Sequence, residues 1–345
     1  MKVRTSESLI RLTVRSVLGL SLIIPVFGII GCRSDATSTP SRPVIGICFE
    51  TLQTEFWVAG LKALKDACAA NGYDTIESVA NGDANRQLQH TKNMVTRGVA
   101  GIILVPIDGR SCGPMIRVAN SAKIPIVLFN RPAEVEHVHF VAVTAENEQL
   151  SKETTEYLIQ QIEATRKSVK AMVLVGDLGD QNAIERRNGF LAAIAQPANE
   201  QRPQIDVVAE VPTEWNLEKA RAGVTNALQA HPDIGLIFCS SDCLLPGIVS
   251  ALQSAGKYYP TGDPRHVLLG GFDGDTTAYQ LLKEGYLDAT GVQNVFLEAE
   301  LAVQAITDQR AGKDVPNRLA DPGFVIHSGN LAARSKEMWG ATVAP

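Results

Sequence analysis

The chain has 345 residues, 45% hydrophobic and 20% charged, which is enough to bury a sizeable core. At roughly 100–200 residues per domain, that length suggests about two domains. A formal net charge of −5 with no basic stripe argues against nucleic acid as a partner.

Residues 1–31 read as a signal peptide. Lys2, Arg4, Arg11 and Arg15 give a positive start, and Ser16 to Gly31 is apolar and uncharged. That run is short for a membrane span of ~20 residues and suits a leader core. It stops at Ile29-Ile30-Gly31-Cys32, which resembles a bacterial lipobox and makes Cys32 the expected lipidation site. Residues 32–42 are then a polar tether with nothing to pack, able to hold a folded portion at a membrane surface through two acyl chains. The other cysteines, Cys48, Cys68, Cys112, Cys239 and Cys243, form neither a disulfide framework nor a zinc pattern. They read as small buried hydrophobes, and one disulfide among them is left open.

From Pro43 the chain alternates β-rich apolar runs with amphipathic helices. Val44–Phe49 is a continuous apolar run, as expected of a strand buried on both faces. A helix over Phe56–Ala70 ends at Asn71-Gly72, a favoured C-terminal cap. Strands follow near Tyr73–Val79, Gly101–Val105, Ile126–Phe129 and Val138–Val143, with helices near Asn85–Arg97 and Ser111–Ala122. The rhythm then restarts. Helices near Asn147–Ala164, Asn182–Ala195, Leu217–Ala230, Leu244–Ala255 and Thr276–Glu284 alternate with strands at Ala171–Gly176, Ile205–Val211, Ile234–Cys239 and His266–Gly270. Such βαβ alternation implies parallel sheets covered by helices, hence two doubly wound α/β units.

Ligands of open parallel sheets bind outside the carboxyl ends of the strands. The segments following the strands are Glu50 to Trp57, Pro106-Ile107-Asp108, Asn130-Arg131, Asp177 to Arg186, Glu214-Trp215, Ser240-Ser241-Asp242, Phe272-Asp273 and Gln293. Polar planar groups and aromatics gather there. No phosphate loop, HExxH or GxSxG occurs, and Gly176-Asp177-Leu178-Gly179 reads as an ordinary strand-to-helix loop. No metal, cofactor or catalytic set is expected. Carboxylates and guanidinium groups match neighbouring hydroxyl pairs bidentately, and aromatic rings cover C–H faces. Asp273, Arg131, Arg186, Phe56, Trp57 and Trp215 supply those groups.

Six motifs in order carry a resemblance. They are Thr51-Leu52-Gln53-Thr54-Glu55-Phe56-Trp57, Ile124 to Asn130-Arg131, Ala183-Ile184-Glu185-Arg186, Ala230-His231-Pro232-Asp233 leading to Ser240-Ser241-Asp242, Gly271-Phe272-Asp273-Gly274, and Gln293 after Ala289-Thr290-Gly291-Val292. From about Pro43 to about Asn330 the chain resembles the ribose/galactose class of periplasmic binding proteins. The resemblance implies a type I periplasmic-binding fold with three hinge crossovers, near Thr144, Gln293 and Asp321. The expected N-terminal lobe is 43–144 plus 294–322 and the C-terminal lobe 145–293 plus 323–345.

It further implies capture of a small sugar or polyol by a monomer that serves an ABC permease or a membrane sensor, exported to the periplasm or cell surface. Phe56 and Trp57 would stack on one ring face and Trp215 on the other. Asn130, Arg131, Arg186, Asp273 and Gln293 would bond the hydroxyls, with Ser241 and Asp242 beside them. Glu50, Thr54 and Asp108 are secondary candidates. Asn130 stands where that class usually has an acid, and Ser241 where it has asparagine. A lactose-repressor-like regulator shares the core but needs a helix-turn-helix where this chain has a leader. A ligand-sensing subunit for chemotaxis or a sensor kinase would use the same core. No general-base constellation accompanies Asp242 and Asp273, so no enzyme is expected.

Overall fold

The computed structural model describes residues 42–162, 167–196 and 202–343; the expected leader, Cys32 and most of the tether lie outside them. The first part runs β1 (Val44–Phe49), α1 (Glu55–Ala70), β2 (Asp74–Val79), α2 (Ala84–Thr96), β3 (Gly101–Leu104), α3 (Gly113–Ser121), β4 (Ile126–Phe129) and β5 (Val141–Ala145). The second runs α4 (Asn147–Gln160), β6 (Ser168–Val175), α5 (Gln181–Ile194), β7 (Gln204–Pro212), α6 (Leu217–Ala230), β8 (Ile234–Cys239), α7 (Leu245–Ser254), β9 (Leu268–Asp273), α8 (Thr276–Glu284) and β10 (Ala289–Val292). The chain then returns through α9 (Val295–Arg310) and β11 (Arg318–Asp321). It closes with β12 (Phe324–His327), α10 (Ser328–Arg334) and α11 (Trp339–Val343).

Two six-stranded sheets result, ordered β11-β5-β4-β3-β1-β2 and β12-β10-β9-β8-β6-β7. The second repeats the order of the first, and its one antiparallel pair is β10 with β12. Each sheet is the centre of a lobe. The chain crosses between lobes after β5, after β10 and between β11 and β12, so the fold is two doubly wound α/β lobes joined by three crossovers.

The apolar strand runs follow from burial on both faces. Ile45, Ile47 and Phe49 of β1 pack with Leu64 of α1 and Ile306 of α9. Cys48, on the opposite face, packs with Met94 of α2 and with Met115 and Ile116 of α3. Burying a Leu, Ile or Phe side chain contributes about 1.5–3 kcal/mol each, so these layers dominate the stability of each lobe. Helix starts are capped by side chains at the sheet ends. Asp180 accepts from Asn182 N, Asn216 from Glu218 N and Lys219 N, and Asn294 from Phe296 N and Leu297 N.

Two expectations shift. The strand expected over Val138–Val143 begins pairing at Val141, because Asn120 clasps the backbone of His139, its Nδ2 donating to His139 O and its Oδ1 accepting from His139 N. The strand expected over His266–Gly270 runs Leu268–Asp273 instead. His266 is held in the preceding loop by Tyr259 O and Asp288. The short edge strand β11 and the two C-terminal helices were not expected. The five cysteines within the described residues are all free thiols, and no helix among those residues is long and apolar enough to cross a membrane.

Candidate functional site

A cavity of about 390 Å³ lies between the lobes at the carboxyl ends of both sheets, within the size range of small-ligand pockets. The first lobe contributes Glu50, Thr51, Gln53, Thr54, Phe56 and Trp57 from the β1–α1 segment, Asn81 after β2, Ile107 after β3, and Asn130 and Arg131 after β4. The second contributes Asp177, Asp180, Asn182 and Arg186 around the start of α5. It also brings Glu214, Trp215 and Asn216 after β7, Ser241 and Cys243 after β8, and Asp273 at the end of β9. Gln293 lines the cavity from the second crossover.

Two guanidinium groups organise it. Arg131 donates to Glu50 Oε1 at 2.6 Å and to the carbonyls of Pro106 and Ile107. Its Nε lies 2.8 Å from Asp180 of the opposite lobe. Burial works against the charge of Arg131, but Asp180 and Glu50 more than offset it and hold the group above its ordinary range. Arg131 also lies over the Trp57 ring at 5.2 Å.

Arg186 donates to Asn147 Oδ1, Ser240 O and Asp273 Oδ1 at 2.9–3.0 Å, with its guanidinium carbon 3.9 Å from the centre of the Phe272 ring. Gly189, one turn along α5, lets this happen. A Cβ there would come within 2.1 Å of Glu148 O, so glycine allows α5 to seat against α4.

Asp273 is the hub of the floor. It accepts from Arg186, from Ser241 Oγ at 2.5 Å and from Gln293 Nε2 at 2.6 Å. An amide chain continues outward. Asn130 Nδ2 donates to Gln293 Oε1 and to both oxygens of the fully buried Glu298. Asn182 Nδ2 donates across the lobes to Asn130 Oδ1 and O, and Asn147 Nδ2 donates to Asn182 Oδ1. Burial, with the charge of Asp321, pushes the Glu298 carboxyl well up.

The two indoles come from opposite lobes. Trp57 is packed edge-on by Phe49 and Phe56. Trp215 follows Glu214 in left-handed backbone (φ 57° and 51°), a rare state for such residues that swings the ring onto Gly176. A Cβ on Gly176 would lie 2.1 Å from the indole, so the glycine of that strand-to-helix loop makes room for Trp215.

Of the residues expected from the sequence, Phe56, Trp57, Asn130, Arg131, Arg186, Trp215, Ser241, Asp273 and Gln293 line the cavity, as do Glu50 and Thr54. Asp242 and Asp108 are corrections. Asp242 is fully buried under the floor, where it accepts from Gly274 N at 2.7 Å and from Thr290 Oγ1. Gly271 makes room for it, since a Cβ there would meet Asp242 Oδ1 at 1.9 Å. Asp108 folds back on its own loop, accepting from Arg110 N, Ser111 N and Ser111 Oγ. Asn81, Asn182 and Asn216 line the cavity without having been singled out, as does Cys243, whose thiol burial pushes up to about 12.

A carboxyl cluster beneath the floor makes stability depend on pH. Burial, joined by the charges of Asp273 and Glu55, pushes Asp275 from 3.8 up to about 7. Between those values the folded chain keeps a proton that the unfolded chain has lost, so stability falls as pH rises from about 4 to about 7. Asp275 caps α8 by accepting from Ala278 N, a role asparagine also fills. Asp275→Asn should therefore flatten the fall, read as urea midpoints at pH 5 and pH 7.5. Equal slopes for variant and wild type would count against it.

The family described as periplasmic binding protein domain matches residues 45–314. The ribose import binding protein of Bacillus subtilis is 26% identical over 81% of this chain and 85% of its own. The D-allose-binding periplasmic protein of Escherichia coli is 27% identical over 81% of this chain and 89% of its own. A solute-binding protein of an ABC transporter from Actinobacillus succinogenes, solved with bound D-allose, superposes with a TM-score of 0.75 at 25% identity, over 84% of this chain and 99% of that one.

Proposed function

The chain belongs to the periplasmic binding protein domain family, whose relatives here are solute-binding proteins and not enzymes, and from that premise we propose that it captures a small sugar or polyol for an ABC permease. One observation carries the reading. Two indoles from opposite lobes, Trp57 and Trp215, flank a floor of planar polar groups built on Arg186, Asp273 and Gln293. Indole faces suit the C–H faces of a sugar, and a guanidinium–carboxylate–amide floor suits paired hydroxyls. The relatives are named for binding ribose, allose and, for a further one from Mycolicibacterium smegmatis, xylitol, which supports the same ligand class.

The lobes, 43–144 plus 294–322 and 145–293 plus 323–345, close on the ligand about the three crossovers. Closure is favoured only by as much as the ligand prefers the closed arrangement. The protein acts as an exported monomer, anchored through diacylated Cys32. Mass spectrometry of the mature N-terminus, wild type against Cys32→Ala, tests the anchor; an unacylated wild type would remove it.

A thermal-shift screen of the protein from Ser34 onward tests the ligand class, with D-ribose, D-allose, L-arabinose, xylitol and myo-inositol as probes. A probe at 100 times its dissociation constant adds about 2.7 kcal/mol. Asp273→Ala should abolish that gain. If none of these probes shifts the melt and an amino acid or other solute does, the sugar reading fails.

A further inference from the structure

Trp339, the third tryptophan, lies beyond the residues matched by the family, which end at 314. It is 1% exposed, although it sits on the short helix α11. Its indole Nε1 donates to the backbone carbonyl of Asp273 at 2.7 Å. Its ring meets Phe56 edge-on, with centroids 5.9 Å apart and planes at 70°. Asp273 belongs to the second lobe and Phe56 to the first, and both line the cavity.

The neighbouring backbone makes the grip specific. Gly340 N donates to Gly274 O at 3.0 Å. A Cβ on Gly340 would lie 2.2 Å from the carbonyl carbon of Asp275, so the segment is pressed directly onto residues 274–275. The residue just before them is strained. Asp273 has a φ of 119°, which side-chain-bearing residues rarely adopt, and Gly274 follows at 82°. Such conformations persist only where surrounding structure holds them, and they cluster at binding sites. The Asp273 carboxylate meets Arg186, Ser241 and Gln293 only while its backbone keeps this pose.

We infer that Trp339 is a positioning residue for the binding site, holding the strained backbone of Asp273 while its ring seats Phe56 of the opposite lobe. The C-terminal segment thereby links the approach of the lobes to the pose of the aspartate. The inference rests on the binding role proposed above, and its ligand is that same small polyol.

The test uses the full chain and two readouts. Trp339→Phe keeps a ring against Phe56 and removes the N–H. Calorimetric titration with D-ribose, D-allose, L-arabinose, xylitol and myo-inositol should show an affinity loss of about fivefold, the equivalent of one hydrogen bond, alongside a modest fall in the urea midpoint from the lost bond and ring volume. Trp339→Ala should lose more, since the Phe56 contact goes too. Hydrogen exchange in the absence of any probe should rise at the amides of residues 273–275 in both variants. If Trp339→Phe does not fold, Trp339→Met, which fills the site with a flexible apolar chain and also lacks the N–H, should give the same two changes. Wild-type affinity together with wild-type exchange at 273–275 would overturn the inference. If the wild type binds none of the five probes, the proposed function falls instead, and unchanged exchange would still separately defeat the role of Trp339.

Discussion

Arg186→Met is expected to remove about 3–5 kcal/mol of stability and to abolish ligand binding. Arg186 is 3% exposed and its guanidinium serves four acceptors at once: Asn147 Oδ1, Ser240 O, Asp273 Oδ1 and, at 3.4 Å, Gln293 Oε1. Methionine fills much of the volume and keeps contact with Phe272, so the loss is electrostatic and not one of packing. What remains is a largely buried carboxylate whose counter-charge is gone. Burial already raises the Asp273 carboxyl against the pull of Arg186, and without Arg186 that opposing pull is lost.

A double variant separates that penalty from the worth of the pair. Arg186→Met with Asp273→Asn removes both charges, and the amide oxygen introduced in place of the carboxylate still accepts from Ser241 Oγ or Gln293 Nε2. The double should recover a large part of the stability lost by Arg186→Met alone, because removing both partners of a buried pair costs far less than removing one. Urea unfolding of wild type, both singles and the double completes the cycle. A double as unstable as the sum of the singles would show that Arg186 does not act through its pairing with Asp273. Binding should not return in the double, since the ligand needs the charged floor as well as the fold.

The parallel strands were legible because burial on both faces leaves nothing but apolar residues in β1, β3 and β4. β11 was not, because Arg-Leu-Ala-Asp is a four-residue edge strand with no period to read. The rule that ligands meet the carboxyl ends of strands located most of the cavity, since it depends only on chain order. It fails where direction matters. Asp242 follows β8 just as Ser241 does, but its side chain turns beneath the floor to satisfy Gly274 and Thr290. The one trace of this in the sequence is Gly271, whose missing Cβ makes room for the carboxylate. Asn182 and Asn216 were passed over because a helix start needs such residues anyway, and the cap and the cavity use the same stretch of chain. Trp339 left no pattern at all: its partners, Phe56 and Asp273, are 283 and 66 residues away and meet it only in the fold.

Asn130→Asp should destabilise the protein by about 3 kcal/mol, although an acid is what the resembling class usually carries there. Backbone strain is not the reason, because asparagine and aspartate both tolerate the φ of 65° at this position. The reason is Glu298. In this chain the Asn130 amide donates to both Glu298 oxygens, and the Glu298 side chain is fully buried. Aspartate would set two carboxylates against each other there and leave Gln293 Oε1 without its Asn130 donor. Two carboxylates sharing a site retain one proton between them, so the penalty grows as pH rises and that proton becomes costlier to hold. Asn130→Asp with Glu298→Gln reverses donor and acceptor and should recover most of the loss. Urea midpoints of both variants at pH 5 and pH 7.5 decide it. A single variant as stable as wild type at pH 7.5, or a double no better than the single, would mean that asparagine at position 130 is not there to satisfy Glu298. In the expected outcome, the departure of Asn130 from the class pattern is matched to a buried acid inside α9. The two residues form one unit of the hinge, where Asn130 also joins Asn182 of the opposite lobe to Gln293 of the second crossover.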